Sequence, residues 1–147
     1  MLIRAVTSGE LMALAKIDAA VNLSPWSLAD YQQSLANSQH SVVGIFNSSH
    51  EILGASVFSH VADQGELLQL CVQHQRQGYA RQLLNFMAAS LAVRGIKDIF
   101  LEVRVNNHAA IKLYHSLNFN QVGIRKNYYL IGNQRLDALL MVKTLCL

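Results

Sequence analysis

The segment from Glu66 to Arg104 constrains this chain more than any other. "ELLQLCV" is a short apolar run, "YARQLLNFMAASLAVR" has helical periodicity, and "IKDIFLEVRV" alternates like a strand. Two strands joined through a helix run parallel, because a tight hairpin links only antiparallel strands. Leu83, Leu84, Met87 and Leu91 recur at helical spacing between Tyr79 and Arg94, and Gly95 is placed to close that helix as a left-handed cap. In the second strand, Ile99, Leu101 and Val103 fall on one face, and Phe100, Glu102 and Arg104 on the other.

The flanks read differently. "MLIRAV" predicts a first strand. Thr7 and Glu10 have capping-box spacing, so a helix is expected from there to about Val21. Pro25 breaks it. Ser27 and Asp30 predict a second helix, with Leu28, Tyr31 and Leu35 on one face. "SVVGIF" and "ILGASVFSHV" predict two strands around "NSSH", and Asp63-Gln64-Gly65 predicts the next turn. "ELLQLCV" is expected to be buried on both faces. "NNHAAIKLYHSL" predicts a helix with an asparagine start, and "QVGIRKNYYLI" and "LDALLMVKTL" a closing antiparallel pair around "GNQR". The sum is an α/β (α+β) architecture: one mixed sheet containing a parallel pair, with helices on both faces.

Composition bounds the rest. A chain of 147 residues, 52% hydrophobic and 14% charged, suits one globular domain over 1–147. No apolar run approaches the roughly 20 residues that span a bilayer. "MLIRAVTSGELMALAK" lacks the order of a signal peptide, so a cytoplasmic protein without membrane partners is expected. Cys71 and Cys146 form neither a disulfide framework nor a zinc spacing. The six histidines offer no helical i,i+4 pair, and no metal is expected. The formal net charge of +3 permits an anionic ligand, and no basic run with interleaved aromatics marks a nucleic-acid partner.

Gly78 stands at the door of the crossover helix, flanked by Arg76 and Arg81. A strand end, a glycine turn and a helix N-terminus leave several N–H groups without helical partners, in a field that favours anions. Glycine lets a phosphate approach the backbone, and arginines add charge-assisted hydrogen bonds. The plainer alternative is a tight turn with two solvated arginines. The spacing matches neither the Walker loop nor G-x-G-x-x-G.

"QRQGYA" resembles the [QR]-x-x-G-x-[GA] signature of the GCN5-related N-acetyltransferases (the GNAT superfamily), and "LEVRVNNHAAIKLYHSLNF" resembles the strand and helix that follow it there. "SPWS" near residue 25 and "RKNYY" at 125–129 resemble the ribosomal-protein-alanine N-acetyltransferases, the RimI type. The resemblance covers nearly the whole chain. It implies the GNAT fold, with the parallel pair splayed to admit acetyl-coenzyme A. It places the cofactor pyrophosphate at Arg76, Gln77, Gly78, Tyr79, Ala80 and Arg81, and the pantetheine arm along the backbone of Leu70, Cys71 and Val72 and beside Asn107. Three departures are visible, one being Ala80 where glycine is frequent, which the pattern allows. The stretch from Val72 to Gly78 is about two residues shorter than usual and lacks the customary proline. Asn118 stands where glycine is usual, at a position expected to need positive φ, which asparagine tolerates.

Direct acetyl transfer to an amine requires removal of a proton from the amine, stabilisation of an oxyanion, and release of a thiolate. The resemblance makes Glu102 the proton acceptor and Tyr114 the proton donor. Read from residues alone, Glu102 is an edge or partly exposed strand position, and Tyr114 a core aromatic with a satisfied hydroxyl. Tyr114 follows Asn107 by two helical turns, about 10 Å along one face. Cys71 has the alternative of nucleophile and the plainer reading of a small core residue. Tyr128 and Tyr129 either line an acceptor groove or alternate across a strand. The resemblance implies the N-terminal alanine of a small-subunit ribosomal protein as acceptor. Its rivals are another protein N-terminus, a small amine, and a coenzyme A-binding module without turnover. A basic acceptor facing a net positive enzyme calls for a local acidic patch, at Glu102 or where Glu51, Asp63 and Glu66 converge.

Overall fold

The computed structural model describes residues 1–145; Cys146 lies outside the described residues. In chain order the elements are β1 (Leu2–Ala5), a 3-10 turn (Ser8–Glu10), α1 (Leu11–Val21), α2 (Leu28–Ala36), β2 (His40–Phe46), β3 (Ile52–Val61), β4 (Gln64–Val72), α3 (Tyr79–Val93), β5 (Asp98–Arg104), α4 (His108–Ser116), β6 (Asn120–Ile131) and β7 (Gln134–Thr144). The seven strands form one sheet in the order β1-β2-β3-β4-β5-β7-β6. Every neighbouring pair is antiparallel except β4 and β5.

That parallel pair decides the shape of the molecule. It is hydrogen-bonded only from Gln64–Glu66 to Asp98–Phe100. Beyond those residues β4 stays with β3 as far as Val72, and β5 stays with β7 as far as Arg104. The sheet therefore opens into a V between them.

Each face of the sheet carries a core. Leu83, Leu84, Met87 and Leu91 of α3 pack with Ile99, Leu101, Val103, Tyr114 and Phe119 on one side. Leu11 and Leu14 of α1 and Tyr31 of α2 pack with Val42, Phe46, Val57 and Cys71 on the other. Alternation along β5 sends Ile99, Leu101 and Val103 into the first core, as the sequence pattern requires. A Cβ on Gly54 would lie 2.8 Å from the Val72 Cα, so only glycine lets β3 approach the end of β4 this closely.

Several expectations are corrected. The β3–β4 turn is Ala62-Asp63, not Asp63-Gln64-Gly65; Ala62 takes φ 54° and β4 begins at Gln64. Leu35 is exposed, and the buried positions of α2 are Tyr31 and Ser34. The strand buried on both faces is β3 rather than β4, because β4 loses its neighbour where the sheet splays. Glu102 lies beyond the last β4–β5 pair, Glu66–Phe100, so it sits partly exposed on the open side of β5, as the residue reading expected. The Ser27–Asp30 capping box, the Gly95 cap at φ 79° and the positive φ of Asn118, 69°, are all found.

Candidate functional site

The V between β4 and β5 forms a cleft lined by Leu67–Leu70 on one wall and Glu102–Arg104 on the other. Asn107 and Tyr114 of α4, Tyr129 of β6, and Asn22–Ser24 of the α1–α2 loop complete it. A second, separate hollow is lined by Val72, residues 74–81, and the α4 face bearing His108, Lys112 and Ser116. The two hollows bring together every expected site residue except the side chain of Cys71. That thiol points to the opposite face, 3.6 Å from the Tyr31 hydroxyl. Burial, with the charge of Asp18, pushes it up to about 12. A thiol so reluctant to ionise is a core residue and not a nucleophile.

In the second hollow, Gly78 is the N-cap of α3 with φ 80°, and Arg76 takes φ 62°. A residue other than glycine in this region is costly, and the shortened loop is where that strain falls. A Cβ on Gly78 would meet nothing within 4 Å, so the space in front of the helix N-terminus is open. Gln77, Tyr79 and Ala80 line the same hollow. Arg81 Nη2 donates to Ser116 Oγ at 2.9 Å, tying α3 to α4. No Asp or Glu lines this hollow, whereas Arg76, Arg81 and Lys112 do. It is electropositive, with unpaired helix N–H groups at its floor, and fits an anion. Sequence reasoning missed His108, Lys112 and Ser116. Their i, i+4, i+8 spacing starting next to Asn107 was the available signal.

The first cleft holds the proton-handling groups. Glu102 has a side chain only 16% exposed, and its Oε1 lies 3.3 Å from Arg125 Nη1. Its Oε2 is buried without a hydrogen-bond partner among the described residues. Such an oxygen is costly to leave unpaired and is positioned to accept a proton or a donor from a ligand. Tyr114 is buried, with its ring edge-on to Phe119 at 5.9 Å. Its hydroxyl has no partner among the described residues and lines the cleft. Burial, and secondarily Tyr129, holds its pKa above the ordinary tyrosine value. It therefore keeps its proton at neutral pH, as a donor must.

Asn107 caps α4, its side-chain oxygen accepting from Ala110 N at 3.3 Å, which leaves its NH₂ for the cleft. The Leu70 carbonyl accepts from Asn22 Nδ2 at 3.1 Å. Tyr128 and Tyr129 separate. Tyr129 lines the cleft, its hydroxyl reaching the Glu102 carbonyl at 3.4 Å, while Tyr128 is exposed beneath the Arg125 guanidinium. Of the acidic residues, Glu66 converges with Glu102 around Arg125. Burial first, then the charge of Glu102, raises its pKa. Glu51 hydrogen-bonds Asn47 in the β2–β3 turn and Asp63 pairs with Lys97, so neither joins the patch. Among the described residues no group of His, Cys, Asp and Glu is placed to hold a metal. No helix is long and apolar enough to cross a membrane.

Comparison with known proteins adds to this geometry. A family model described as FR47-like protein matches residues 42–130. The [Ribosomal protein bS18]-alanine N-acetyltransferase of Haemophilus ducreyi is 35% identical over 132 residues, 87% of this chain and 88% of that protein. The crystal structure of the ribosomal-protein-S18-alanine N-acetyltransferase from Escherichia coli superposes with a TM-score of 0.89 at 30% identity, over 97% of this chain and 92% of that one. Arabidopsis thaliana NAA60, solved in complex with acetyl-CoA, shares the fold with a TM-score of 0.85 at 18% identity, over 97% of each chain.

Proposed function

The chain belongs to the GCN5-related N-acetyltransferases, in the family of the ribosomal-protein-alanine enzymes, and from that premise we propose that it transfers the acetyl group of acetyl-coenzyme A to the α-amine of an N-terminal alanine, on the small-subunit ribosomal protein bS18. The observation that carries this reading is the splay of β4 from β5. It leaves a cleft holding an unpartnered carboxylate oxygen and a protonated phenol, with an electropositive hollow at a helix N-terminus beside it, lined by the next residues of β4 and α4.

Acetyl-coenzyme A supplies the thioester. The N–H groups at the start of α3, with Arg76, Gln77, Gly78, Tyr79, Ala80 and Arg81, bind its pyrophosphate. The β4 backbone at Leu70, Cys71 and Val72 lies along the pantetheine as a partner strand would, with Asn107 opposite. Glu102 takes a proton from the acceptor ammonium through Oε2, and Tyr114 returns one to the departing sulfur. Arg125 and Tyr129 hold Glu102 in place from the β6 side. The catalytic unit is one domain over 1–147, and a cytoplasmic location goes with such an acceptor.

The test is mass spectrometry of N-terminal acetylation. The protein is incubated with acetyl-coenzyme A and peptides beginning with Ala, Ser, Met or Thr. The alanine peptide should be acetylated on its α-amine, and the same peptide with a blocked N-terminus should be inert. Equal modification of internal lysines would overturn the acceptor while keeping the superfamily chemistry.

A further inference from the structure

Asp18 is the one buried charged residue among those described, at 0% exposure. No Lys, Arg or His pairs with it among the described residues. A carboxylate in such a place is very costly unless hydrogen bonds replace its water. Four neutral donors do so. Asn22 Nδ2 reaches Oδ1 at 2.6 Å, and Trp26 N and the Tyr31 hydroxyl reach Oδ2 at 3.0 and 2.6 Å. Gln69 Nε2 bridges both oxygens at 3.2 and 3.0 Å. Two of these donors reach further. Asn22 Nδ2 also donates to the Leu70 carbonyl at 3.1 Å, and Gln69 Nε2 to the Ser24 carbonyl at 3.4 Å. The α1–α2 loop is thus tied to its own helix, to α2 and to β4 through one carboxylate. That loop places Asn22, Leu23 and Ser24 on the wall of the cleft that holds Glu102 and Tyr114, with Leu23 62% exposed. It does not reach the electropositive hollow.

We propose that Asp18 is a positioning residue for acceptor recognition: it holds the Asn22–Trp26 loop against β4, so that Leu23 and its neighbours meet the first residues of the acceptor. The proposal rests on the assignment of this cleft to the acceptor. Only a carboxylate serves, because every group that approaches Asp18 arrives as a donor. In Asp18→Asn the Trp26 N–H cannot turn over, so the amide oxygen stays with it and the NH₂ replaces Oδ1. The NH₂ then faces the donors of Asn22 and Gln69. Flipping the Asn22 amide would turn its oxygen toward the Leu70 carbonyl. The substitution therefore sets an NH₂ against the Asn22 donor and against one arm of the Gln69 bridge, and so loosens the Asn22–Trp26 loop, Trp26 included, from β4, while the retained oxygen can still accept from Gln69.

The experiment uses Asp18→Asn and reads three quantities. Trp26 is the only tryptophan, so its emission and acrylamide quenching report the loop directly. Quenching should increase. The KM for an alanine-first peptide should rise about tenfold, the scale of losing two or three hydrogen bonds, with kcat changed far less. Coenzyme A affinity by calorimetry should stay within about twofold, because no residue of the loop lines the hollow proposed for the phosphates. Should Asp18→Asn fail to fold, Gln69→Leu removes the β4 bridge to the carboxylate and the tie to Ser24 while leaving Asp18 with its Asn22, Trp26 and Tyr31 donors. It should give the same split at smaller size. Trp26 as shielded as in wild type overturns the proposal, as does a loss of coenzyme A affinity in step with acceptor affinity. A wild-type protein inactive on alanine peptides, with Trp26 freed in the variant, overturns the role toward the acceptor and the functional reading with it.

Discussion

Glu102 and Tyr114 face one cleft from different elements, and the surroundings of each fit the role proposed for it. The Glu102 oxygen has no partner, and Tyr114 keeps its proton because burial disfavours the phenolate. Glu102→Gln and Tyr114→Phe keep shape and remove the proton function. Turnover should fall by about 100- to 10,000-fold in single-turnover acetyl transfer at saturating cofactor. Coenzyme A affinity should change by less than about 1 kcal/mol, the scale of one neutral hydrogen bond. Wild-type rates in both variants would mean that positioning alone limits the reaction. Gly78→Glu places bulk and negative charge in the open space before α3, at a φ that side chains resist. Calorimetry should show coenzyme A affinity largely lost, and unchanged affinity would remove the phosphate assignment.

At the scale of the element, the entry to α1 shows how charge and cap combine. Glu10 accepts from the Thr7 N–H at 2.9 Å and forms a two-pronged pair with Arg4 of β1 at 2.9 and 2.7 Å. The Arg4 guanidinium holds the Glu10 carboxyl down to about 2 from an ordinary 4.5. A depressed carboxylate pKa stabilises the fold above the ordinary value, and that contribution is lost as pH falls through the folded one. Tm should therefore fall as pH drops from about 4.5 toward about 2, partly through this pair. Arg4→Gln should shrink that portion of the fall. Both side chains are partly exposed, so high salt should shrink it too. An Arg4→Gln protein whose acid profile overlays wild type would show that other carboxylates carry the transition.

Over the whole molecule, a formal charge of +3 works against a basic acceptor, and proteins that bind nucleic acid are typically basic. The answer is local. Glu66 and Glu102 meet beside the cleft, with Arg125 between them as the resident cation. Long-range repulsion is screened within a Debye length of about 8 Å at physiological salt, so nearby carboxylates outweigh distant lysines. Glu66→Gln should raise KM several-fold for peptides with Lys or Arg after the alanine and leave neutral peptides unchanged. The difference should fade as salt rises. Equal effects on both peptide classes would place Glu66 outside acceptor recognition.

Strand alternation, helical spacing, the Ser27–Asp30 box and the strand–helix–strand order were legible because each depends on residues close in sequence. They determined every element, the parallel pair and the two-sided core. The glycine-opened helix and the family motifs marked Gly78, Glu102 and Tyr114 before any fold was in view. Local pattern is blind to what crosses between elements. It could not say that Glu66 rather than Glu51 or Asp63 reaches Glu102, since β4 and β5 alone decide which carboxylates meet. Nor could it separate Tyr129 from Tyr128, because the irregular pairing of β6 with β7 between Arg125 and Tyr129 sets their directions. Asp18 reads as one polar residue on an amphipathic helix. Two of its four donors come from the loop that follows α1, one from α2 and one from β4, and only packing the first helix against the opened sheet turns it into the knot of the cleft wall.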